Sequence, residues 1–183
     1  MINISIKCFG VNINECKFLG EGCEGKVYLT PDGKALKIFK NKKKCKSEYN
    51  LLKKVEQSSY FPKVVDVKGN CMLREFVGGI SLKEYLDDNR LSRRLAANLI
   101  YLIEEFQSIG FTRLDIAARH IFVQDNENIK VIDPRKSFTK KVPFPRILMS
   151  DLEKANSLEN FIGILIELRP NLAKKWIKEI NKL

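Results

Sequence analysis

The run Gly20-Glu21-Gly22-Cys23-Glu24-Gly25-Lys26-Val27 has the spacing Gly-x-Gly-x-x-Gly-x-Val. Similar glycines serve dinucleotide folds, where they open a helix, and ordinary turns. Here Val27-Tyr28-Leu29-Thr30 and then Pro31-Asp32-Gly33 follow, which read as a strand and a turn. A glycine loop between antiparallel strands lets backbone N–H groups close over phosphates without interference from Cβ atoms. A merely structural hairpin is the competing reading. The next stretch, Ala35-Leu36-Lys37-Ile38-Phe39, sets a lysine inside an apolar strand. An unpaired ammonium in apolar surroundings is costly, and Glu48, just downstream, is the natural partner. For Lys37 the competing reading is a surface ion pair. His120 is the only histidine, so His-rich metal sites are excluded and any Ser-His-Asp scheme would have to use it. Cys8, Cys16, Cys23, Cys45 and Cys71 contain no Cys-x-x-Cys pair, so neither a zinc knuckle nor a redox dithiol is indicated. Reduced, mostly buried thiols of a cytosolic protein are expected.

The elements that must hold these residues fall into two halves. Residues 11–19, 26–30 and 35–39 are rich in β-formers, and Pro31-Asp32-Gly33 makes a tight connection between the last two. Over residues 44–55, Tyr49, Leu52 and Val55 recur at helical spacing. Strand-like stretches 64–68 and 71–77 follow, joined by Gly69-Asn70. Gly78-Gly79 breaks the chain. Beyond it, Ser81-Leu82-Lys83-Glu84 has the capping-box pattern of a helix start. A longer helix begins near Ser92, with Leu95, Leu99, Leu102, Ile103 and Phe106 on one face, and ends before Gly110. Residues 121–123 and 129–132 read as a small hairpin, and two or three helices close the chain, Pro170 separating the last. The expected class is α+β: an antiparallel-sheet lobe with one helix over residues 1–77, and a helical lobe over 78–183.

Taken together, these motifs resemble the protein kinases. The glycine loop, the strand lysine Lys37 and the helix glutamate Glu48 match their N-terminal lobe. Arg113-Leu114-Asp115-Ile116-Ala117-Ala118-Arg119-His120 resembles the catalytic loop His-Arg-Asp-x-x-x-x-Asn, aligned on Asp115. Val131-Ile132-Asp133-Pro134-Arg135 sits where the family carries Asp-Phe-Gly, with Asp115 and Asp133 18 positions apart. Residues 71–77, with Gly79 and Leu82 after them, resemble the hinge, where Glu75 and Val77 would offer backbone groups to an adenine. The resemblance covers residues 15–135 in order. It implies a single two-lobed kinase-like domain over 1–183 that binds ATP and Mg²⁺. Gly20, Gly22, Gly25 and Val27 would cover the nucleotide, and Lys37, held by Glu48, would contact the α- and β-phosphates. Asp133 would bind the metal. Asp115 would orient a hydroxyl acceptor, protein Ser/Thr or small molecule, and take its proton. Positioning and charge neutralisation supply most of such catalysis.

Several residues depart from the pattern. His120 replaces the asparagine that helps hold a second metal, and imidazole prefers softer ions, which shifts the expectation towards Mn²⁺. A structural hydrogen-bonding role for His120 is the alternative. Pro134-Arg135 replaces Phe-Gly, where the fixed proline φ would restrict a flip. Arg113-Leu114 replaces His-Arg, no Ala-Pro-Glu follows, and only 48 residues remain after Arg135. The C-terminal lobe is therefore short and the peptide platform largely missing. This plan is similar to small bacterial serine/threonine-protein-kinase-like proteins, and more distantly to lipopolysaccharide sugar kinases and other atypical kinases. A nucleotide-binding or dead pseudokinase acting through protein contacts is the alternative.

Charge adds a third class. The 33 Lys and Arg exceed the 22 Asp and Glu by +11 over 183 residues. Seven lysines fall within residues 34–46, and others cluster at 135–146 and 174–182. Such a surface attracts nucleic acid, anionic membrane or acidic protein, although no RNA-binding motif is present and the bland reading is a solvated face. With 44% apolar and 30% charged residues, disorder, collagen and coiled coil are excluded, and a chain of this length needs no disulfide staple. The apolar run 161–166 is far short of the roughly 20 residues of a membrane span, and the N-terminus has no basic head or long apolar stretch. A cytoplasmic protein is expected.

Overall fold

The computed structural model describes residues 7–134 and 137–181. It is α+β and divides into two units, Met1–Val77 and Gly78–Leu183, each built around its own sheet.

The first unit opens with the short strands β1 (Lys7–Cys8) and β2 (Val11–Asn12), followed by a 3₁₀ turn over Ile13–Glu15. The strand expected over 11–19 is therefore broken. The Asn12 side chain accepts the Asn14 N–H, and this local bond competes with extended pairing. The main sheet comprises β3 (Lys17–Glu21), β4 (Gly25–Leu29), β5 (Lys34–Phe39), β6 (Val64–Lys68) and β7 (Cys71–Glu75). It is antiparallel throughout, in the order β3-β4-β5-β7-β6. The last strand stops at Glu75, two residues short of the expected 77. Helix α1 (Lys42–Lys54) connects β5 to β6. It begins two residues before the expected 44 because the Asn41 side chain accepts the Lys44 N–H at 2.9 Å.

Strand β5 is buried on both faces, and the period of two decides what each face meets. Ala35, Lys37 and Phe39 share one face, while Leu36 and Ile38 turn to the other. There Leu36 joins Cys8, Cys71 and Leu73 in a small core packed by Phe9, Val11, Ile13, Tyr28 and Ile38. Cys8 and Cys71 form a disulfide, with Cα atoms 6.5 Å apart, which corrects the expectation of reduced thiols throughout. Pairing across 63 residues is set by how the first hairpin lies on the sheet. Cys16, Cys23 and Cys45 lie outside this disulfide, and only Cys45 of the three is buried. Thiol titration of unfolded protein is expected to find three groups, rising to five after reduction by a dithiol. Closure of so long a loop contributes about 4 kcal/mol by chain entropy, so reduction should lower the urea midpoint clearly. Five thiols before reduction would disprove the pairing.

The second unit contains β8 (Ile80–Ser81), α2 (Leu82–Asp88), α3 (Arg93–Ser108), β9 (Ile121–Val123), β10 (Ile129–Val131), α4 (Arg146–Lys154), α5 (Leu158–Leu168) and α6 (Pro170–Ile180). Strand β8 was not expected and completes a three-stranded sheet in the order β10-β9-β8. Gly79 permits it: at φ +81, a Cβ there would lie 2.0 Å from the Val123 carbonyl oxygen. The Ser81 and Glu84 capping box is present, and hydrogen bonds from Ser81 hold the Glu84 carboxyl below its ordinary range. Helix α3 buries Leu95, Leu99, Leu102, Ile103 and Phe106, the predicted face, each worth roughly 1.5–3 kcal/mol of apolar burial. Glu127, at the tip of the β9–β10 hairpin, accepts from the Tyr85 and Ser92 hydroxyls at 3.0 and 2.6 Å. Its carbonyl accepts from the Asn98 side chain at 2.8 Å. One glutamate thus ties the hairpin to α2 and α3. Burial, then the bond to Glu127, raises the Tyr85 pKa.

Candidate functional site

The predicted residues form two sets, one in each unit. In the first unit, Lys37 and Glu48 meet: Nζ and Oε2 are 2.5 Å apart, with both side chains 9% exposed. The pairing follows from two local facts. Lys37 points to the α1 side of β5 with Ala35 and Phe39, and Glu48 leaves the inward arc of α1 near Cys45 and Leu52. The ammonium also lies 4.7 Å from the centre of the Phe39 ring, a cation–π contact that offsets part of its desolvation. Burial pushes the Cys45 thiol pKa up, and the Glu48 charge adds to the shift. Cys45 is therefore an inert thiol beside the pair.

The glycine run spans the β3–β4 turn. Val27 stands opposite Lys37 and Gly25 opposite Phe39 in the β4–β5 register, so the turn and the lysine belong to one rigid sheet. Gly20 pairs with Val27 beside an irregularity in the β3–β4 ladder. The three glycines have different reasons to be there. A Cβ on Gly25 would fall 2.0 Å from the Ile38 carbonyl oxygen, whereas one on Gly22 would meet nothing within 4 Å. Gly25→Ala is thus expected to cost about 1–3 kcal/mol, since backbone must shift to admit the methyl. Gly22→Ala should stay within about 0.5 kcal/mol of wild type. Urea denaturation of the two variants checks the contrast, and equal stabilities would refute it. The Gly22 N–H donates to the Gly25 carbonyl at 2.9 Å, so this donor closes the turn itself.

Glu75 is tied in at the end of the interior strand β7. Its N–H donates to the Lys63 carbonyl at 2.9 Å, its carboxylate accepts the Lys63 N–H at 3.1 Å, and its carbonyl accepts from Arg74 at 3.2 Å. Val77, 6% exposed, ends the unit.

In the second unit, Asp115 is 9% exposed and accepts the Ile147 N–H on Oδ1 at 2.7 Å. Pro145, the residue before α4, offers no side-chain cap. Asp115 therefore caps α4 from a distant loop, and its charge suits the positive helix end. The reverse bond runs from the Ala118 N–H to Asp151 on α4, at 2.8 Å. Asp151 escaped the sequence reading because nothing in its local pattern on α4 signals a partner 33 residues away. Residues 112–114 are further strapped by bonds from Thr112 N–H to the Ser137 carbonyl and from Leu114 N–H to the Val142 carbonyl, both at 2.8 Å. The segment carrying Asp115 is rigid on both sides.

His120 and Asp133 are close along the same framework, because the Ile132 N–H donates to the His120 carbonyl at 2.9 Å. Asp133 has φ +57, an uncommon conformation for a residue with a Cβ. A carboxylate such as that of Asp133 could offer a hard oxygen to Mg²⁺, whereas an imidazole such as that of His120 suits Mn²⁺ better. Pro134 is buried, and its carbonyl accepts the Ser137 hydroxyl at 2.9 Å. Arg135, the second half of the Pro134-Arg135 departure, lies outside the described residues, as do Lys136 and Lys182.

Among the described residues, no helix is long and apolar enough to cross a membrane. Set against known proteins, the chain matches no family model and no curated protein.

Proposed function

We propose that the protein is an atypical, protein-kinase-like phosphotransferase that moves the γ-phosphoryl group of ATP to a hydroxyl acceptor. The observation that carries this reading is the buried Lys37–Glu48 pair on the sheet that also holds the glycine turn. A buried ion pair is a poor device for stability alone, and here it fixes an ammonium beside a glycine hairpin. In this reading Lys37 neutralises phosphate charge, with Gly20, Gly22, Gly25 and Val27 covering the nucleotide and Glu75 and Val77 beside its base. Asp133 holds Mg²⁺ or Mn²⁺ with His120 near it, and the ion supplies charge neutralisation on the phosphates. Asp115 orients the acceptor hydroxyl and takes its proton. The acceptor is a protein Ser/Thr or a small molecule, and the setting is bacterial cytoplasm. The Cys8–Cys71 disulfide gives that last point no support, since such bonds favour oxidising compartments.

A second reading has its own observation. Asp115 is committed to capping α4, and a nucleotide-binding pseudokinase acting through protein contacts needs no more of it than that.

A thermal shift titration tests the nucleotide site common to both. ATP at about 100 times its dissociation constant should add near 2.7 kcal/mol of stability. The shift is expected to require Mg²⁺ or Mn²⁺, and to disappear in Lys37→Met measured against its own ligand-free melt. The absence of any shift with either metal would overturn both readings.

A further inference from the structure

Helix α1 buries Cys45 and Leu52 and turns Glu48 inward to Lys37. Seven of its residues are exposed: Lys42, Lys43, Lys46, Ser47, Asn50, Lys53 and Lys54. Every one is a hydrogen-bond donor of the kind that contacts phosphate, and none is acidic. Lys42, Lys46 and Lys53 form one row, at i, i+4 and i+11, and Lys43 and Lys54 repeat the eleven-residue spacing on a second. At 1.5 Å per residue each row spans about 16 Å.

This composition works against the helix. The first turn contains lysines and no acid, where the positive end of the macrodipole favours the opposite charge. Lys42 and Lys46 also repel as an i, i+4 like pair. Lys53 is paired with Glu56, but Lys42, Lys43 and Lys46 have no ion pair among the described residues. An arrangement that breaks local rules on a solvent face marks function elsewhere in proteins. Helix α6, which also carries several lysines, differs, since its exposed Lys174, Lys175 and Lys178 sit beside Glu179.

We infer that the exposed face of α1 binds the phosphodiester backbone of a nucleic-acid duplex. A row of ammonium groups with Ser and Asn between them complements a regular line of phosphates. Lysines are point charges without the bidentate geometry that reads base edges, and no aromatic residue is exposed on the helix to stack on single-stranded bases. The binding is therefore independent of sequence and carried by counterion release. The inference stands apart from the phosphotransfer reading, because none of these lysines belongs to that machinery.

The test is fluorescence anisotropy of the full chain with two unrelated labelled 20-base-pair DNA duplexes over a salt series. Five phosphate contacts predict a log–log salt slope of about −4.5, or roughly 500-fold weaker binding on going from 50 to 200 mM salt. The triple variant K42Q/K43Q/K46Q should flatten the slope by about 2.7, with its helix content checked by circular dichroism. The variant K174Q/K175Q/K178Q removes the same charge from α6 and should bind as wild type does. Equal loss in both variants, an unchanged slope in the first, or equal displacement by polyglutamate of matched charge would each overturn the inference. The last outcome would point to an acidic protein instead.

Discussion

Asp115→Asn is expected to abolish phosphoryl transfer while leaving the protein folded. The amide keeps an oxygen that can accept the Ile147 N–H now bound at 2.7 Å, so the cap on α4 survives. What is lost is a proton acceptor, which typically contributes 10²–10⁴-fold to rate. The lost charge at the helix end should cost about 0.3–1 kcal/mol, too little to unfold the unit. Asp115→Ala should behave differently, because it also leaves the end of α4 uncapped, at a cost of about 1–2 kcal/mol. The measurement is γ-phosphoryl transfer from labelled ATP, beside a urea melt of each variant. Transfer by Asp115→Asn at the wild-type rate would remove Asp115 from catalysis, whereas no transfer by the wild type itself would leave the pseudokinase reading in its place.

Lys37→Met should be the most destabilising single change in the first unit. It strands the Glu48 carboxylate, 9% exposed, in an apolar setting. Breaking a buried pair from one side costs about 3–5 kcal/mol, and the cation–π contact with Phe39 goes with it. Glu48→Leu should be similarly harmful, for it strands the ammonium instead. The double variant Lys37→Met/Glu48→Leu is expected near wild-type stability, since apolar replacements of like volume remove both desolvation costs. A double-mutant cycle in urea then gives a large coupling energy. If the single costs simply add, the pair is not coupled as the geometry requires. Stability restored without nucleotide binding would show that the pair is retained for a ligand rather than for the fold.

How much of this was readable beforehand depends on distance along the chain. The Lys37–Glu48 pair was legible because a strand of period two, a helix of known phase and the cost of a bare buried charge all act within 11 residues. The inward face of α3 and the Ser81–Glu84 capping box were legible for the same reason. The continuous strand over 11–19 failed on a local bond, the Asn12 side chain competing with sheet pairing. Strand β8, only two residues long, had too little pattern to be seen.

Propensity, periodicity and charge are properties of short segments, so the α+β class, the glycine turn beside a lysine in an apolar strand, and the lysine run over residues 34–46 could all be read along the chain. Tertiary structure decided the rest. Packing of the first hairpin on the sheet paired Cys8 with Cys71 across 63 residues. The closeness of β4 to β5 made Gly25, and not Gly22, the glycine that packing demands. The approach of α4 to the 112–120 segment turned Asp115 into a helix cap and recruited Asp151, at separations of 32 and 33 residues. Such contacts have no local signature, because what selects them is the burial and hydrogen-bond satisfaction of surfaces that only meet once the chain has folded.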